Sequence, residues 1–180
     1  MNKDHQAALV IIPPKSKWEQ IQDIRLKFDE SVYEWMPHIK LLYPFISLED
    51  YPGAKRDIFK VCDRFPRFEV TLKEVDFFLH KYQTISVWLN PKPNEKIKKL
   101  QGAFLRTFPE CNDVNRFMTG YVPHLTVAKY KGTYKIRKKI KKVQKLWDPL
   151  TFEVESIYAV EKGVQEGSVY VIKEEFPLML

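Results

Sequence analysis

The sequence predicts an α/β (α+β) fold with much antiparallel strand pairing. Three observations carry that expectation. Short β-branched or aromatic runs alternate with stretches in which apolar residues recur at helical period. The order strand, helix, strand, helix occurs twice along the chain. No low-complexity linker separates independent parts, so residues 1–180 are read as a single domain, or two small lobes sharing one core.

Ala7 to Ile12 reads as a buried strand, β-branched and closed by Pro13 and Pro14. Ser16 can cap a following helix, with Glu19 at the spacing of a capping box. Trp18, Ile21, Ile24 and Phe28 then form its apolar face. His38 to Phe45 is extended and apolar, bounded by Pro37 and Pro44. A second helix follows Pro52-Gly53, with Ile58, Val61, Cys62 and Phe65 facing inward. Phe68 to Leu72, Val75 to Leu79 and Thr84 to Leu89 read as three strands with turns around Lys73 and Lys81. The stretch Asn90-Pro91-Lys92-Pro93-Asn94 breaks the chain before a helix that runs to about Phe108. Pro109 to Pro123 reads as a loop and His124 to Tyr130 as a strand. Thr133 to Trp147 predicts a basic helix with a buried stripe of Ile136, Ile140, Val143 and Trp147. Thr151 to Val160 and Ser168 to Lys173 complete the fold as two strands around a turn at Gly163 to Gly167.

Composition excludes several classes. At 44% hydrophobic residues the chain can build an ordinary core, yet no window approaches the ~18 uninterrupted apolar residues of a membrane span. The apolar run near the N-terminus carries Asp4 and His5 and meets two prolines, which suits a first strand rather than a signal peptide. Cys62 and Cys111 supply neither a disulfide framework nor metal-ligand spacing. A reducing, cytoplasmic setting is expected, with the nucleus as an alternative, and no membrane partner. The net charge is +7. Between Lys129 and Lys145 there are nine Lys or Arg and no Asp or Glu, either an anion-attracting patch or a solvated helix face.

Two segments stand out against this background. Met36-Pro37-His38-Ile39-Lys40-Leu41 and Val122-Pro123-His124-Leu125-Thr126-Val127 share the pattern Pro-His-aliphatic-polar-aliphatic. Residues two apart in a strand share a face, so His38 points with Lys40 and His124 with Thr126. Polar groups at buried positions are costly unless paired or solvated. A wet cleft between two such strands removes the cost. An imidazole has an unperturbed pKa of about 6.5, so a facing pair can divide the acid and base roles near neutrality. His5 and His80 lack such a context and read as surface residues.

The PHLTV stretch, with its near-match PHIKL, resembles the two signature motifs of the two-histidine phosphoesterases. That superfamily includes the 2′-5′ RNA ligase-like proteins and cyclic-nucleotide phosphodiesterases. The resemblance spans nearly the whole chain and implies two mainly antiparallel sheets with pseudo-twofold symmetry about a central cleft, helices outside. It implies His38 and His124 as the catalytic pair, and Thr126 as a phosphate contact. The usual first motif has a hydroxyl residue where this chain has Lys40. Lys40 either clamps the phosphate with a full charge or extends its stem out of the cleft. The implied enzyme is a phosphodiesterase, or an RNA-end ligase or exonuclease, for 2′,3′-cyclic or 2′,5′-linked nucleotides or RNA ends. It would work as a monomer with no metal and no cofactor. Aromatic stacking normally holds bases in such sites, and Tyr121, then Tyr43, Phe78 and Tyr82, are the candidates. A nucleotide- or RNA-binding module with a degenerate first motif is the competing account.

Overall fold

The strands form two four-stranded antiparallel sheets, and in the computed structural model residues 3–49, 52–115 and 120–180 are described. In chain order the elements are β1 (Ala7–Ile11), α1 (Trp18–Phe28), β2 (Ile39–Leu42), α2 (Gly53–Cys62), β3 (Phe68–Leu79), β4 (Thr84–Lys92) and α3 (Asn94–Thr107). There follow β5 (Leu125–Lys131), α4 (Ile136–Leu146), β6 (Leu150–Val154), β7 (Ser156–Lys162) and β8 (Tyr170–Pro177). One sheet has the order β2-β1-β7-β8, the other β5-β4-β3-β6. The two orders correspond strand for strand, with β1 and β4 in equivalent places, each joined by a helix to its neighbour. The helices cross over: α1 packs against β5 of the second sheet and α3 against β2 of the first.

Strand alternation explains how this arrangement makes both a core and a cleft. In β1, Ala7, Leu9 and Ile11 enter the large core shared by both sheets. Ala8, Val10 and the following Ile12 enter a smaller cluster on the opposite face with Trp35, Val160 and Tyr170. Lys40 lies opposite Val10 in the β1–β2 register and therefore belongs to that second face. On the other sheet Trp88 pairs with Thr126, Phe78 with Ser86, and Ser86 with Lys129. These side chains share one face, while Leu72, Val87, Leu89, Leu125 and Val127 fill the core behind.

Several expected boundaries differ. The two strands expected on either side of Lys73 are one strand, β3, whose register shifts between Leu72 and Glu74; the anticipated turn is a bulge. β4 runs on into the proline-rich stretch as far as Lys92, and Pro91 faces Leu72 beside that bulge, where a residue without an N–H is tolerated. The strand expected from Thr151 to Val160 is two, β6 and β7, because the chain changes sheets at Glu155. The last strand begins at Tyr170 and continues to Pro177. Ser16 caps nothing with its side chain: it lies in a short 3-10 turn, Lys15–Lys17, that leads into α1. The loop between Pro109 and Pro123 contains a 3-10 turn, Asp113–Asn115, and its residues 116–119 lie outside the described set. Among the described residues no helix is long and apolar enough to cross a membrane.

Candidate active site

His38 and His124 stand immediately before β2 and β5, equivalent strands of the two sheets. The local chemistry at each is the same. His38 Nδ1 is 2.7 Å from the Met36 carbonyl oxygen, and His124 Nδ1 is 2.8 Å from that of Val122. A carbonyl only accepts, so each Nδ1 carries its proton and donates it. The neutral ring then presents Nε2 as a bare acceptor. The intervening Pro37 and Pro123 restrict the backbone that returns each carbonyl to its ring.

Both imidazoles line one cleft of about 190 Å³, together with Lys40, Thr126, Trp35 and Lys129. Aromatic rings hold each histidine from behind. Trp35 stacks on His38 at 4.4 Å between centroids, and its plane also stacks on Tyr170 at 3.3 Å. On the other side Phe78 meets His124 edge-on at 5.0 Å, and Trp88 lies 5.8 Å away. Burial, and after it the Lys40 charge, hold His38 well below the usual imidazole range. Burial pushes His124 down to about 4, with the Val122 hydrogen bond opposing and Lys40 assisting. Without an anion in the cleft both rings are neutral at pH 7.

Lys40 is an enclosed cation. Its Nζ sits 4.7 Å from the Trp35 ring centroid and 4.5 Å from that of Tyr43. Burial, then the charge of Lys129, lowers it to about 8, against an opposing pull from Glu34. The stem does not leave the cleft, since Lys40 lines it beside both histidines.

The four aromatic candidates are distributed differently. Phe78 borders His124. Tyr43 lies under the Lys40 ammonium and donates its hydroxyl to the His5 carbonyl. The Tyr121 hydroxyl donates to the Lys40 carbonyl at 2.7 Å, which ties the approach to β5 onto β2, and its ring packs against the main core. Burial pushes that phenol far above its ordinary range. Tyr82, 96% exposed in the β3–β4 connection, does not line the cleft.

Sequence reasoning overlooked a polar group on the cleft wall. Arg25, only 2% exposed, donates from Nε to Asp29 Oδ2 at 3.0 Å, from Nη1 to the Trp35 carbonyl at 2.8 Å, and from Nη2 to the Ser31 carbonyl at 3.3 Å. Asp29 Oδ1 accepts from the Ser31 N–H. Lys129 reaches across from β5 to donate to Ser31 Oγ at 2.6 Å, with its ammonium 3.9 Å from Asp29. The available signal was the i,i+4 spacing of Arg25 and Asp29 next to the buried Ile24. His80, read as a surface residue, is exposed but lines the cleft, with Nε2 2.9 Å from Ser86 Oγ.

Comparison with known proteins identifies a family and a shared fold. The family model described as the 2′-5′ RNA ligase superfamily matches residues 13–166. No curated protein matches the chain by sequence. Among solved structures, TT0787 of Thermus thermophilus superposes with a TM-score of 0.67 at 16% identity, covering 96% of this chain and 97% of that one. Escherichia coli LigT complexed with 3′-AMP gives a TM-score of 0.67 at 16% identity, covering 97% and 98%. Kluyveromyces marxianus Usb1 gives 0.53 at 14% identity, covering 96% and 97%. At these identities the likeness is one of fold.

Proposed function

The chain belongs to the 2′-5′ RNA ligase superfamily, and from that premise we propose that it is a phosphodiesterase of 2′,3′-cyclic or 2′,5′-linked nucleotides or RNA ends, acting through His38 and His124. One observation carries the reading: two imidazoles from equivalent strands line one small cleft, each with Nδ1 committed to a carbonyl and Nε2 left to accept.

In the free cleft both rings can take a proton, and neither has one to give. An arriving phosphodiester brings a negative charge that opposes the effect of burial and of Lys40, so it raises both pKa values. His38 lies closer in chain and charge to Lys40, which disfavours its protonation. It is the base that takes a proton from the attacking water. His124 becomes protonated in the complex and donates to the leaving ribose oxygen. Thr126 and Lys40, at the same step after each histidine, hold the phosphate oxygens. Lys40 replaces a hydroxyl hydrogen bond with charge, fixed in place by two ring faces. Ligation of RNA ends is the same path reversed, and 3′-end trimming uses the same pair.

The decisive experiment is turnover of a 2′,3′-cyclic mononucleotide with a chelator present. Activity should persist, and His38→Ala and His124→Ala should each lower it roughly 10²-fold or more. Strict dependence on a divalent ion, or full activity in either variant, would sink the mechanism. Tight binding without turnover would instead favour a nucleotide-binding module, the reading suggested by Lys40 in place of a hydroxyl.

A further inference from the structure

The catalytic cleft is too small for more than part of an oligonucleotide. Its volume of about 190 Å³ lies below the ~300–1,000 Å³ of ordinary ligand cavities. A second cavity of about 340 Å³ adjoins it. Asp29 and Lys129 line both, with the Lys129 ammonium 3.9 Å from the Asp29 carboxylate. The far walls are Leu26, Phe28, Tyr33 and Tyr130. Tyr33 is 79% exposed and Leu26 55%, which leaves apolar and aromatic surface open to solvent beside the site.

The charge around this cavity is mainly positive. Lys139 lies 4.7 Å over the Tyr130 ring and Lys142 5.3 Å over Phe28, so the basic helix α4 supplies cations directly to these aromatics. Lys27 and Lys129 line the cavity itself. Its carboxylates are Asp29, paired with Arg25, and the exposed Glu30. Aromatic faces interleaved with lysines are what a single-stranded nucleic acid uses, bases on rings and phosphates on ammonium groups.

We infer that this cavity is the subsite for the next nucleotide of a single-stranded oligonucleotide whose terminal phosphate occupies the histidine cleft, its base against Tyr33 and its linking phosphate at Lys129. The inference rests on the reading of the cleft as a phosphodiester site. It assigns a place to the basic helix that the catalytic pair alone leaves without one.

The test compares binding of a 3′-phosphorylated dinucleotide, its internucleotide link made a non-hydrolysable methylene phosphonate, and a 3′-mononucleotide, to the wild type and to Tyr33→Ala. The wild type should hold the dinucleotide about tenfold tighter, the worth of one stacked base. Tyr33→Ala should reduce that ratio towards one, and added salt should reduce it as well. Equal affinity for both ligands in the wild type, or an undiminished ratio in Tyr33→Ala, overturns the subsite. Cyclic mononucleotide turnover is a separate measurement. Its absence with the dinucleotide preference intact would fault the proposed catalysis and leave the subsite standing.

Discussion

Replacing Arg25 by Met tests whether the buried polar group behind His38 does what its geometry requires. The side chains of Arg25 and Asp29 are 3% and 1% exposed, so the substitution leaves a carboxylate in the interior without its main partner. It also removes the hydrogen bonds to the Trp35 and Ser31 carbonyls and to Gln22. Breaking a buried ion pair from one side costs about 3–5 kcal/mol. The lower end applies here, because the Ser31 N–H and the more distant Lys129 still face Asp29. Urea unfolding should therefore show a loss of about 3 kcal/mol at unchanged m-value. The double variant Arg25→Met/Asp29→Leu removes both charges and should be less damaged than the sum of its parts, with a coupling of about 2 kcal/mol. Activity should fall further than stability explains, since Arg25 holds the backbone of Trp35, and Trp35 stacks on His38. A loss below about 1 kcal/mol with additive single effects would refute the argument, because it would mean that the pair is solvated.

Lys40→Thr should weaken binding of phosphate-bearing ligands. It should also move the acidic limb of the pH–rate curve to higher pH, because the Lys40 charge lowers His38 and its removal makes that ring easier to protonate. An unchanged limb with unchanged or tighter binding would reject the clamp. In the wild type, ligand affinity should fall as pH rises through about 8, where Lys40 loses its proton, and the variant should lack that step. Cys62 is buried with its thiol pushed up to about 12, and Cys111 is buried with its own at about 11. Neither should react with an alkylating reagent at pH 8 in native protein, while both should react in denaturant; rapid native labelling would contradict their placement.

Much of the site is legible in the sequence because it is local. A proline, a histidine and a polar residue two positions on specify a backbone carbonyl, a ring to bond it and a shared strand face, all within six residues. Strand alternation alone then puts His38 beside Lys40 and His124 beside Thr126. The same local logic locates α1 to α4 and the helix faces that β5 and the core receive. It fails where the chain changes partner. The core positions shift phase between Val154 and Ile157, with Phe152 and Val154 buried before Glu155 and Ile157 and Ala159 after it, but a phase shift in sequence does not tell a bulge within one strand from a passage between sheets. Bulges fail in the same way, since the break at Lys73 is real and only the paired strands reveal that it is an added residue rather than a turn.

The sequence by itself determined the class of elements, the paired histidine motifs and the surplus of positive charge near the second. The tertiary structure alone decided that Arg25, Asp29, Trp35 and His80 join those motifs, that Tyr121 is a tether between β5 and β2, and that Lys40 is enclosed by two aromatic rings. The division follows from range. Periodicity records which face of a segment avoids water, whereas a cleft wall is assembled from residues of different elements whose proximity depends on strand order, crossover and register.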